Sequence, residues 1–467
     1  MSTHRTRRAR AAALIATATT LAASLAACSS DDSGDGDGGG DADKITVWIE
    51  EDLPDRVAAT QDIVDAFTKK TGVQVKLVAV AEDQFNQILT SNAAAGKLPD
   101  VIGGLPLGQV RTLSSNELID TDAVGSVTDD LDRGTFTDSA LELTADGDKQ
   151  LAVPSESWVQ LLVYRKDLFD KAGLGVPKTY DDVLSAAKKL DSSAVAGFIG
   201  ANVAGDAFTE QTFEEIGLGN ACELVNDSGD VTFDSDECVA ALDFYGDLQQ
   251  NYSVAGAQDV DTTRAAYFAG KGAMLIWSSF ILDEMAGLRK DALPTCPQCK
   301  SDPTYLAKNS GVVTSIEGPS GSGPATFGEI TSWTIPSEAS TDAAKKFVTY
   351  MMTDGYEPWI RIAPEGKIPV RTGDKPGDTT YTDAWSKMKV GVDTKAPLSK
   401  FYSQDVIDAL TSGADNLSRW AIPQGQGDLL GAIQGTQPVA GAVNEVSNGT
   451  SGADAAKKAA DEIRSAQ

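Results

Sequence analysis

Large aromatic side chains recur in this sequence at the ends of segments with the composition of buried strands. They are Trp158, Trp277, Phe280, Trp333 and Trp420. An indole or phenyl face can stack on the apolar C–H face of a sugar ring, while planar polar groups bond its hydroxyls. The alternative for each ring is a place in the hydrophobic core. The pattern favours non-covalent recognition of a small hydroxylated molecule.

Polar side chains suited to binding hydroxyl groups stand in the loops that follow the predicted strands. Carboxylates, amides and guanidinium groups are planar and form hydrogen bonds in pairs. For each acid the alternative is a solvated surface charge, because the chain holds 68 aspartates and glutamates. The candidates are Glu50, Glu51 and Asp52 after the first strand, Asp83 and Gln84 after the second, and Glu156, Asp206 and Arg371 further on.

The first 27 residues have the pattern of an export signal. Four arginines and no acid precede an apolar run over residues 11–27, which is shorter than the ~20 residues that span a bilayer. The run ends in Leu-Ala-Ala-Cys, which resembles a bacterial lipobox and predicts that Cys28 becomes the lipidated first residue of the mature protein. An ordinary signal peptide with an incidental cysteine is the alternative. Residues 28–43, rich in Gly, Ser and Asp, predict a flexible acidic linker.

Charge and composition exclude several classes of function. Removing the leader's four arginines from the 39 basic residues leaves 35 against 68 acidic ones, a net charge of −33. Such a charge argues against nucleic acid or an anionic membrane surface as a partner. His4, the single histidine, lies in the leader, so the mature chain can form neither a Ser-His-Asp triad nor a His-ligated metal site. The chain also lacks a G-x-x-x-x-G-K-[ST] phosphate loop, and we predict no metal and no cofactor.

Four cysteines follow Cys28, and in an exported chain an even number favours disulfides. Of the three possible connectivities we predict the pairing of sequence neighbours, Cys222 with Cys238 and Cys296 with Cys299. The C-x-x-C spacing of the second pair also fits a redox-active dithiol or half of a zinc site. A zinc ribbon needs a second C-x-x-C, which Cys222 and Cys238 do not supply.

Strand-like and helix-like segments alternate along the chain, which predicts β-α-β units and an α/β fold. Residues 151–190 show the pattern most clearly. The apolar run at 161–164 predicts a buried strand, and Thr179 followed three residues later by Asp182 predicts the start of a helix. Gly72 predicts the end of an earlier helix. Residues 309–324, rich in Gly, Ser and Pro, predict a connection between lobes.

Five short segments, in this order, resemble the extracellular solute-binding proteins of carbohydrate ABC importers, the family 1 lipoproteins related to maltose-binding protein. The segments follow the lipobox-like leader, and the resemblance extends from about residue 44 to the C-terminus. They are KLPDVI at 97–102, residues 151–190, FAGKGAM at 268–274, AAKKF at 343–347 and GKIPVR at 366–371.

The resemblance implies two α/β lobes, each a mostly parallel sheet flanked by helices, hinged around a cleft that closes on ligand. In that pattern residues 44–153 and 325–366 form one lobe, and residues 154–317 and 370–467 form the other. Trp158 matches a position at the cleft edge of the first crossover in the family pattern. Trp333 matches the end of a lobe strand by the hinge. Residues 277–280 match a loop that stacks on sugar, and Trp420 matches an aromatic residue that packs under it.

Together these observations lead to the hypothesis of a monomeric receptor, anchored by lipid to the outer face of the cell membrane. It would capture a mono- or oligosaccharide and deliver it to the permease subunits of an ABC importer without catalysing a reaction. A secreted enzyme acting on glycosides is one alternative, because such enzymes also use aromatic rings and a carboxylate pair. A receptor for another solute, such as a peptide or a polyamine, is the second.

Overall fold

The computed structural model describes residues 44–51 and 53–467, apart from the side chains of residues 82 and 83. The predicted signal peptide at 1–27, the lipidation at Cys28, the linker at 28–43 and the candidate Asp52 lie outside the described residues, as does the side chain of Asp83. The described chain belongs to one compact unit. Within it, no helix is both long and apolar enough to cross a membrane.

Strands alternate with helices along the described chain, which confirms the predicted α/β class. The strands are β1 (Lys44–Glu50), β2 (Gln74–Val80), β3 (Val101–Leu105), β4 (Ala145–Asp146), β5 (Lys149–Gln150), β6 (Val153–Arg165), β7 (Met274–Ser278), β8 (Ser310–Val313), β9 (Thr326–Thr334), β10 (Ile368–Pro369), β11 (Lys389–Val390), β12 (Ala396–Pro397) and β13 (Leu417–Ser418).

The helices flank the strands, and most are shorter than four turns. They are α1 (Pro54–Thr71), α2 (Glu82–Ala94), α3 (Leu107–Ser115), α4 (Thr121–Asp130), α5 (Asp138–Leu143), α6 (Lys166–Ala172), α7 (Tyr180–Leu190), α8 (Ala207–Gly219), α9 (Asp236–Tyr252), α10 (Val260–Phe268), α11 (Ile281–Met285), α12 (Tyr305–Asn309), α13 (Thr341–Met351), α14 (Tyr356–Ile360), α15 (Thr380–Trp385), α16 (Gln404–Asp415), α17 (Asp428–Ile433), α18 (Pro438–Ser447) and α19 (Gly452–Ala466).

Strand β6 connects two sets of strands. Its first half pairs antiparallel with β9 and β10, and its second half pairs antiparallel with β7 and β8. The apolar run at 161–164 lies in the second half and is buried, as the sequence predicts. A strand of 13 residues extends for about 43 Å, so it can pair with different neighbours along its two halves, and all of these strands belong to one nine-stranded sheet.

Parallel pairing is found on one side of β6, where the sheet runs in the order β6-β9-β3-β1-β2. Strand β1 pairs in parallel with both β2 and β3, and helices α1 and α2 make the crossovers. Helix α1 ends at Gly72, whose φ of 83° is a left-handed conformation that glycine adopts without strain. The loops after β1, β2 and β3 therefore open at the same edge of the sheet, where ligands of α/β proteins bind.

Local predictions are confirmed on the other side of β6. The Thr179 hydroxyl accepts the Asp182 backbone N–H at 3.1 Å, and the Asp182 carboxylate accepts the Thr179 N–H at 3.1 Å, which forms the capping box of α7. The structure forms the disulfides Cys222–Cys238 and Cys296–Cys299 in the predicted pairing.

Candidate functional site

Trp158 is the one residue of strand β6 that is only half-buried. It pairs in register with Glu329 of β9, and its ring lies edge-on to Phe327, with 5.8 Å between ring centroids. Paired residues of antiparallel strands project from the same face of a sheet, as do alternate residues of one strand. Gln160, two residues beyond Trp158, therefore shares this face with Glu329. The face carries a partly accessible indole beside buried polar groups.

The N-terminus of helix α8 lies next to β7. Asp206 caps the helix, and its carboxylate accepts the backbone N–H of Phe208 at 3.1 Å. The Phe208 ring lies 5.9 Å from the ring of Trp277, which pairs with Leu161 of β6. The Trp277 Nε1–H donates to the carbonyl oxygen of Val260 at 3.2 Å, which fixes the indole plane. Two aromatic rings thus stand between α8 and the end of β7.

Three glutamates gather around one buried arginine between α8 and β9. We call Glu210, Glu214, Glu329 and Arg419 the Arg419 cluster. Arg419 Nε donates to Glu214 Oε1 at 3.1 Å, and Nη1 donates to Glu329 Oε2 at 2.6 Å. The second oxygen of Glu329 accepts the N–H of Leu107, the first residue of α3, at 2.9 Å. The cluster therefore links α3, α8 and β9 with the residue that follows β13.

Burial controls the charge of the Arg419 cluster. It raises the pKa of Glu210 to about 8, with the Glu214 carboxylate adding to the rise and Arg419 opposing it. Burial also raises the pKa of Glu214, again against the attraction of Arg419. Both directions are expected where a single cation faces three enclosed carboxylates. Glu210 is therefore mostly protonated at pH 7, and its carboxyl can donate a hydrogen bond as well as accept one.

Several enclosed polar atoms near these rings form no hydrogen bond to any described residue. Both amide atoms of Gln160, a fully buried side chain, belong to this set. So do one carboxylate oxygen each of Asp206, Glu210 and Glu214. Buried polar atoms in native proteins are nearly always satisfied by protein, water or ligand. The unsatisfied atoms therefore mark the surface at which a polar ligand could bind.

A second group of charged residues surrounds Phe280, just beyond β7. The guanidinium carbon of Arg56 lies 5.7 Å from the Phe280 ring centroid, in cation–π contact. Arg56 also lies 3.4 Å from a Glu51 oxygen and 3.6 Å from a Glu365 oxygen. Behind them, burial and the neighbouring Glu365 raise the pKa of Asp283, which is fully buried. This group joins the first turn of α1 to the segment after β7.

Trp277 is 6% exposed, and two further aromatic candidates are fully enclosed by the hydrophobic core. Trp333 is fully buried, with its ring 5.1 Å from that of Trp359, and its Nε1–H has no hydrogen-bond partner among the described residues. Trp420 is fully buried 5.9 Å from Phe233, and its Nε1–H donates to the Cys222 carbonyl oxygen at 2.7 Å. These contacts favour structural roles, and we leave both rings out of the candidate ligand surface.

Two charged candidates are likewise held in structural contacts. Arg371 is 2% exposed and donates from Nε to Thr135 Oγ1 at 3.1 Å. Glu156 is 1% exposed and accepts hydrogen bonds of 2.7 Å from Trp359 Nε1 and from Lys367 Nζ. Because both side chains are saturated by protein, we leave them out of the ligand surface as well.

The remaining candidates lie at the edge where β1 and β2 end. Glu50 and Glu51 are half-buried there, and Glu51 reaches the group around Phe280 through Arg56. Gln84 is exposed on α2, which also contains the backbone of Asp83.

Gln160 and the members of the Arg419 cluster are not among the site residues predicted from the sequence. The sequence does contain one indication of buried acids, because Glu214 and Glu215 stand between the apolar residues Phe213 and Ile216. In the structure, nine residues of this helix are buried. Acids in such apolar surroundings have perturbed pKa values and are enriched at functional sites. Their convergence on Arg419, over 200 residues away along the chain, has no local signal.

Two surface hollows lie away from this region. The first, of about 650 Å³, is lined mainly by charged residues of α19, and the second, of about 560 Å³, by residues of α1, α13 and neighbouring turns. Neither includes a member of the Arg419 cluster or any of the aromatic candidates.

The chain has the two-lobed α/β fold of periplasmic binding proteins. Residues 50–358 match the family described as bacterial extracellular solute-binding protein. The chain therefore belongs to the bacterial extracellular solute-binding protein family. YcjN of Escherichia coli strain K12, assigned by its name to an ABC transporter as a periplasmic-binding protein, is 32% identical over 324 residues, which cover 68% of this chain and 70% of YcjN.

Solved structures share the fold at low sequence identity. An ABC transporter solute-binding protein of Thermotoga lettingae TMO, bound to α-D-tagatose, has a TM-score of 0.68 and 20% identity and covers 91% of this chain and 99% of its own. The GacH receptor of Streptomyces glaucescens, solved unliganded and with acarbose, also has a TM-score of 0.68 and 20% identity and covers 91% of this chain and 99% of its own. A sugar transporter of Arthrobacter chlorophenolicus A6 with bound laminaribiose has a TM-score of 0.68 and 19% identity and covers 90% of this chain and 99% of its own.

Proposed function

We propose that this protein is the exported sugar receptor of an ABC importer, which captures a mono- or oligosaccharide and delivers it to permease subunits in the membrane. Support comes from membership of the family and from the ABC transporter assignment of YcjN. Structures of the same fold are described with tagatose and laminaribiose. At identities of 19–20%, those structures do not define the ligand of this chain, so its own residues must.

The observation that carries the proposal is the half-buried ring of Trp158 on a face of β6 that it shares with the unsatisfied amide of Gln160 and with Glu329. Trp277, in contrast, is 6% exposed and pairs with Leu161, so it projects from the other face of β6, where Phe208 lies beside it. Gln160 and Asp206 hold polar atoms without partners in the described chain. A sugar ring presents both an apolar face and hydroxyl edges, so it requires this combination.

The proposed mechanism is closure of two lobes around the sugar. We assign residues 44–153 and 325–366 to one lobe and residues 154–317 and 370–467 to the other. Strand β6 then begins at the boundary between the lobes and its first half pairs with β9 of the first lobe, and the Arg56–Phe280 contact joins residues of different lobes. A ligand that bonds to both lobes favours the closed state by its difference in affinity for the two states.

We extend the proposal to the leader and to the fate of the ligand. The signal peptide is removed, Cys28 carries the lipid, and residues 28–43 connect a monomeric receptor to the outer face of the membrane. The sugar is released unchanged, because the role is capture and not turnover.

The experiment is a thermal-shift screen of the purified full chain in detergent against mono- and oligosaccharides, with peptides and polyamines as separate arms. The proposal predicts that one group of sugars raises the melting temperature and is recovered intact by chromatography. A shift caused only by peptides or polyamines, or the release of smaller sugars, would contradict it.

A further inference from the structure

We infer that the sugar captured by this protein carries a protonated amine, and that Asp206, Glu210, Glu214 and Gln160 form the subsite for that amine. The inference rests on the proposed function, because it specifies the ligand class of the same site. Helix α8 and its N-cap carry the three acids. Asp206, Glu210 and Glu214 follow one another at intervals of four residues, so they form a line along one side of the helix with a rise of ~6 Å per step.

Carboxylates outnumber cations along this line. Arg419 contacts Glu214 and Glu329, and its single positive charge is shared between them. Within the described chain, Glu210 and Asp206 have no lysine or arginine at ion-pair distance. With a neutral sugar, part of this acid stays protonated, as the raised pKa of Glu210 indicates. An ammonium group would compensate one negative charge and donate three hydrogen bonds.

Gln160 provides an independent sign of a ligand. Its side chain is fully buried, and neither its amide oxygen nor its amide nitrogen has a hydrogen-bond partner among the described residues. The register of β6 with β9 places it on the face of Trp158 and Glu329, and therefore beside the Arg419 cluster. A buried amide without partners is costly unless a ligand or water satisfies it. An amino sugar can do so, because it offers hydroxyl and ammonium groups together.

A metal ion suits these acids less well than an organic cation. In the described chain, no group of three or more His, Cys, Asp or Glu side chains is arranged to hold a metal. Metal ligands must converge within about 2.6 Å of one point. Carboxylates spaced at one-turn intervals along a helix instead match a ligand whose donors are spread over a ring or a short oligosaccharide.

Protonation gives the inference a measurable signature. The groups that face Glu210 are Glu214 of the same helix, Glu329 of β9 and Arg419; burial and the two acids raise its pKa to about 8, and Arg419 opposes them. Asp206 faces Asp259, and burial also raises its pKa. An ammonium group beside Glu210 favours the ionised carboxylate, so binding an amine near pH 7 releases a proton. A neutral sugar does not stabilise the carboxylate in this way.

The test compares sugars that differ only in this group: glucosamine with glucose, galactosamine with galactose, and the β-1,4-linked glucosamine disaccharide with cellobiose. Each is titrated calorimetrically into the full chain in detergent at pH 7, in phosphate and in Tris, whose ionisation enthalpies differ. We expect at least one amine to bind roughly tenfold more tightly than its hydroxyl counterpart, because hydrogen bonds to charged groups are the stronger ones. Its heat should depend on the buffer by an amount that corresponds to a net release of up to one proton, namely the proton lost by Glu210 less the fraction of a proton that the amine takes up on binding.

Variants E210Q and E215Q form a matched pair, since both residues are glutamates of α8 and burial raises the pKa of both, with Glu210 half-buried and Glu215 fully buried. Glu215 accepts the Phe327 N–H at 2.8 Å, a bond that glutamine can also accept, and it is not part of the proposed subsite. In E210Q the binding heat should no longer depend on the buffer. The affinity for the amine should exceed that for its hydroxyl counterpart by less than about threefold. E215Q should leave both unchanged. The comparison of sugars on the unaltered chain remains decisive even if a variant fails to fold.

The outcomes separate this inference from the proposed function. Tighter binding of an amine with release of a proton supports both. Binding of neutral sugars with no preference for their amines overturns the inference and leaves the sugar receptor in place. Absence of binding by every sugar in this set and in the wider screen contradicts the proposed function, and with it the inference.

Discussion

Arg419 and Glu329 form a buried ion pair of 2.6 Å between segments that we assign to different lobes. Glu329 is the register partner of Trp158, and its other oxygen accepts the N–H of Leu107 at the start of α3. The pair therefore fixes the side chains around the one half-buried position of β6. A charge network in this place both stabilises the structure and sets the electrostatic potential of the candidate site.

Replacing Arg419 with methionine should destabilise the protein strongly. The change leaves Glu214 and Glu329 buried without their cation, and breaking one side of a buried ion pair costs about 3–5 kcal/mol. Urea unfolding of both proteins measures the difference. The control is R361M, because Arg361 pairs with Glu357 on the surface, with side-chain exposures of 57% and 38%, and such pairs contribute up to about 1 kcal/mol. Equal losses in the two variants would refute the role of the cluster.

Stability should fall as pH rises from about 4.5 to about 8. The folded state holds the Glu210 proton up to about pH 8, whereas the unfolded carboxyl loses it near 4.5, so the folded state binds more protons in that window. One such group changes the free energy of unfolding by about 1.4 kcal/mol per pH unit. E210Q lacks the titrating carboxyl, so its unfolding free energy should not change for this reason. The unfolding free energy of E210Q minus that of the unaltered chain should therefore increase by about 2 kcal/mol between about pH 5.5 and pH 7.5.

Urea unfolding of E210Q and the unaltered chain at these two pH values tests the prediction. E357Q, which removes an exposed acid, provides the control and should follow the unaltered chain. If the plots of unfolding free energy against pH for E210Q and the unaltered chain remain parallel across the window, Glu210 is ionised in the folded state and the prediction is wrong.

Trp158 and Trp420 should separate binding from stability. W158A removes a half-buried ring, so it should lower sugar affinity by about tenfold or more. It should change the free energy of unfolding less than W420A does. W420A removes a fully buried ring and should cost about 3–5 kcal/mol of stability. Calorimetry gives the sugar affinity of each variant, and urea unfolding gives its free energy of unfolding. Unchanged affinity in W158A would remove this residue from the site.

The two disulfides should contribute unequally to stability. Cys222–Cys238 closes a loop with a sequence separation of 16, and Cys296–Cys299 closes one of 3. In the chain-entropy treatment these loops contribute about 3 and about 1.6 kcal/mol. Thermal unfolding of the paired Cys→Ala variants should show the larger loss for the first pair. A larger loss for the second pair would contradict the chain-entropy account.

Local sequence determined the elements that were predicted well. Thr179 and Asp182 form their capping box within four residues, and Gly72 ends α1 through its own backbone conformation. Strand β8, in contrast, begins inside residues 309–324, which the composition predicts as a connection. It pairs with β6, more than 140 residues earlier, so its existence depends on a free strand edge that local composition does not reveal.

The site could be predicted only in part for the same reason. Trp158 and Trp333 both lie in strands next to polar residues, yet the first is half-buried and the second is enclosed near Trp359. Burial depends on packing partners that are distant in the sequence. The roles of Arg371 and Arg419 likewise depend on which distant oxygens surround each guanidinium group.

The most direct test of the central claim is calorimetric titration of the full chain in detergent with the sugar that gives the largest thermal shift, followed by chromatography of the recovered ligand. A sugar receptor predicts saturable binding at one site per chain, weakened in W158A, with the sugar recovered intact. Absence of binding heat with every sugar that is tried, or recovery of cleaved or altered sugar, would contradict it.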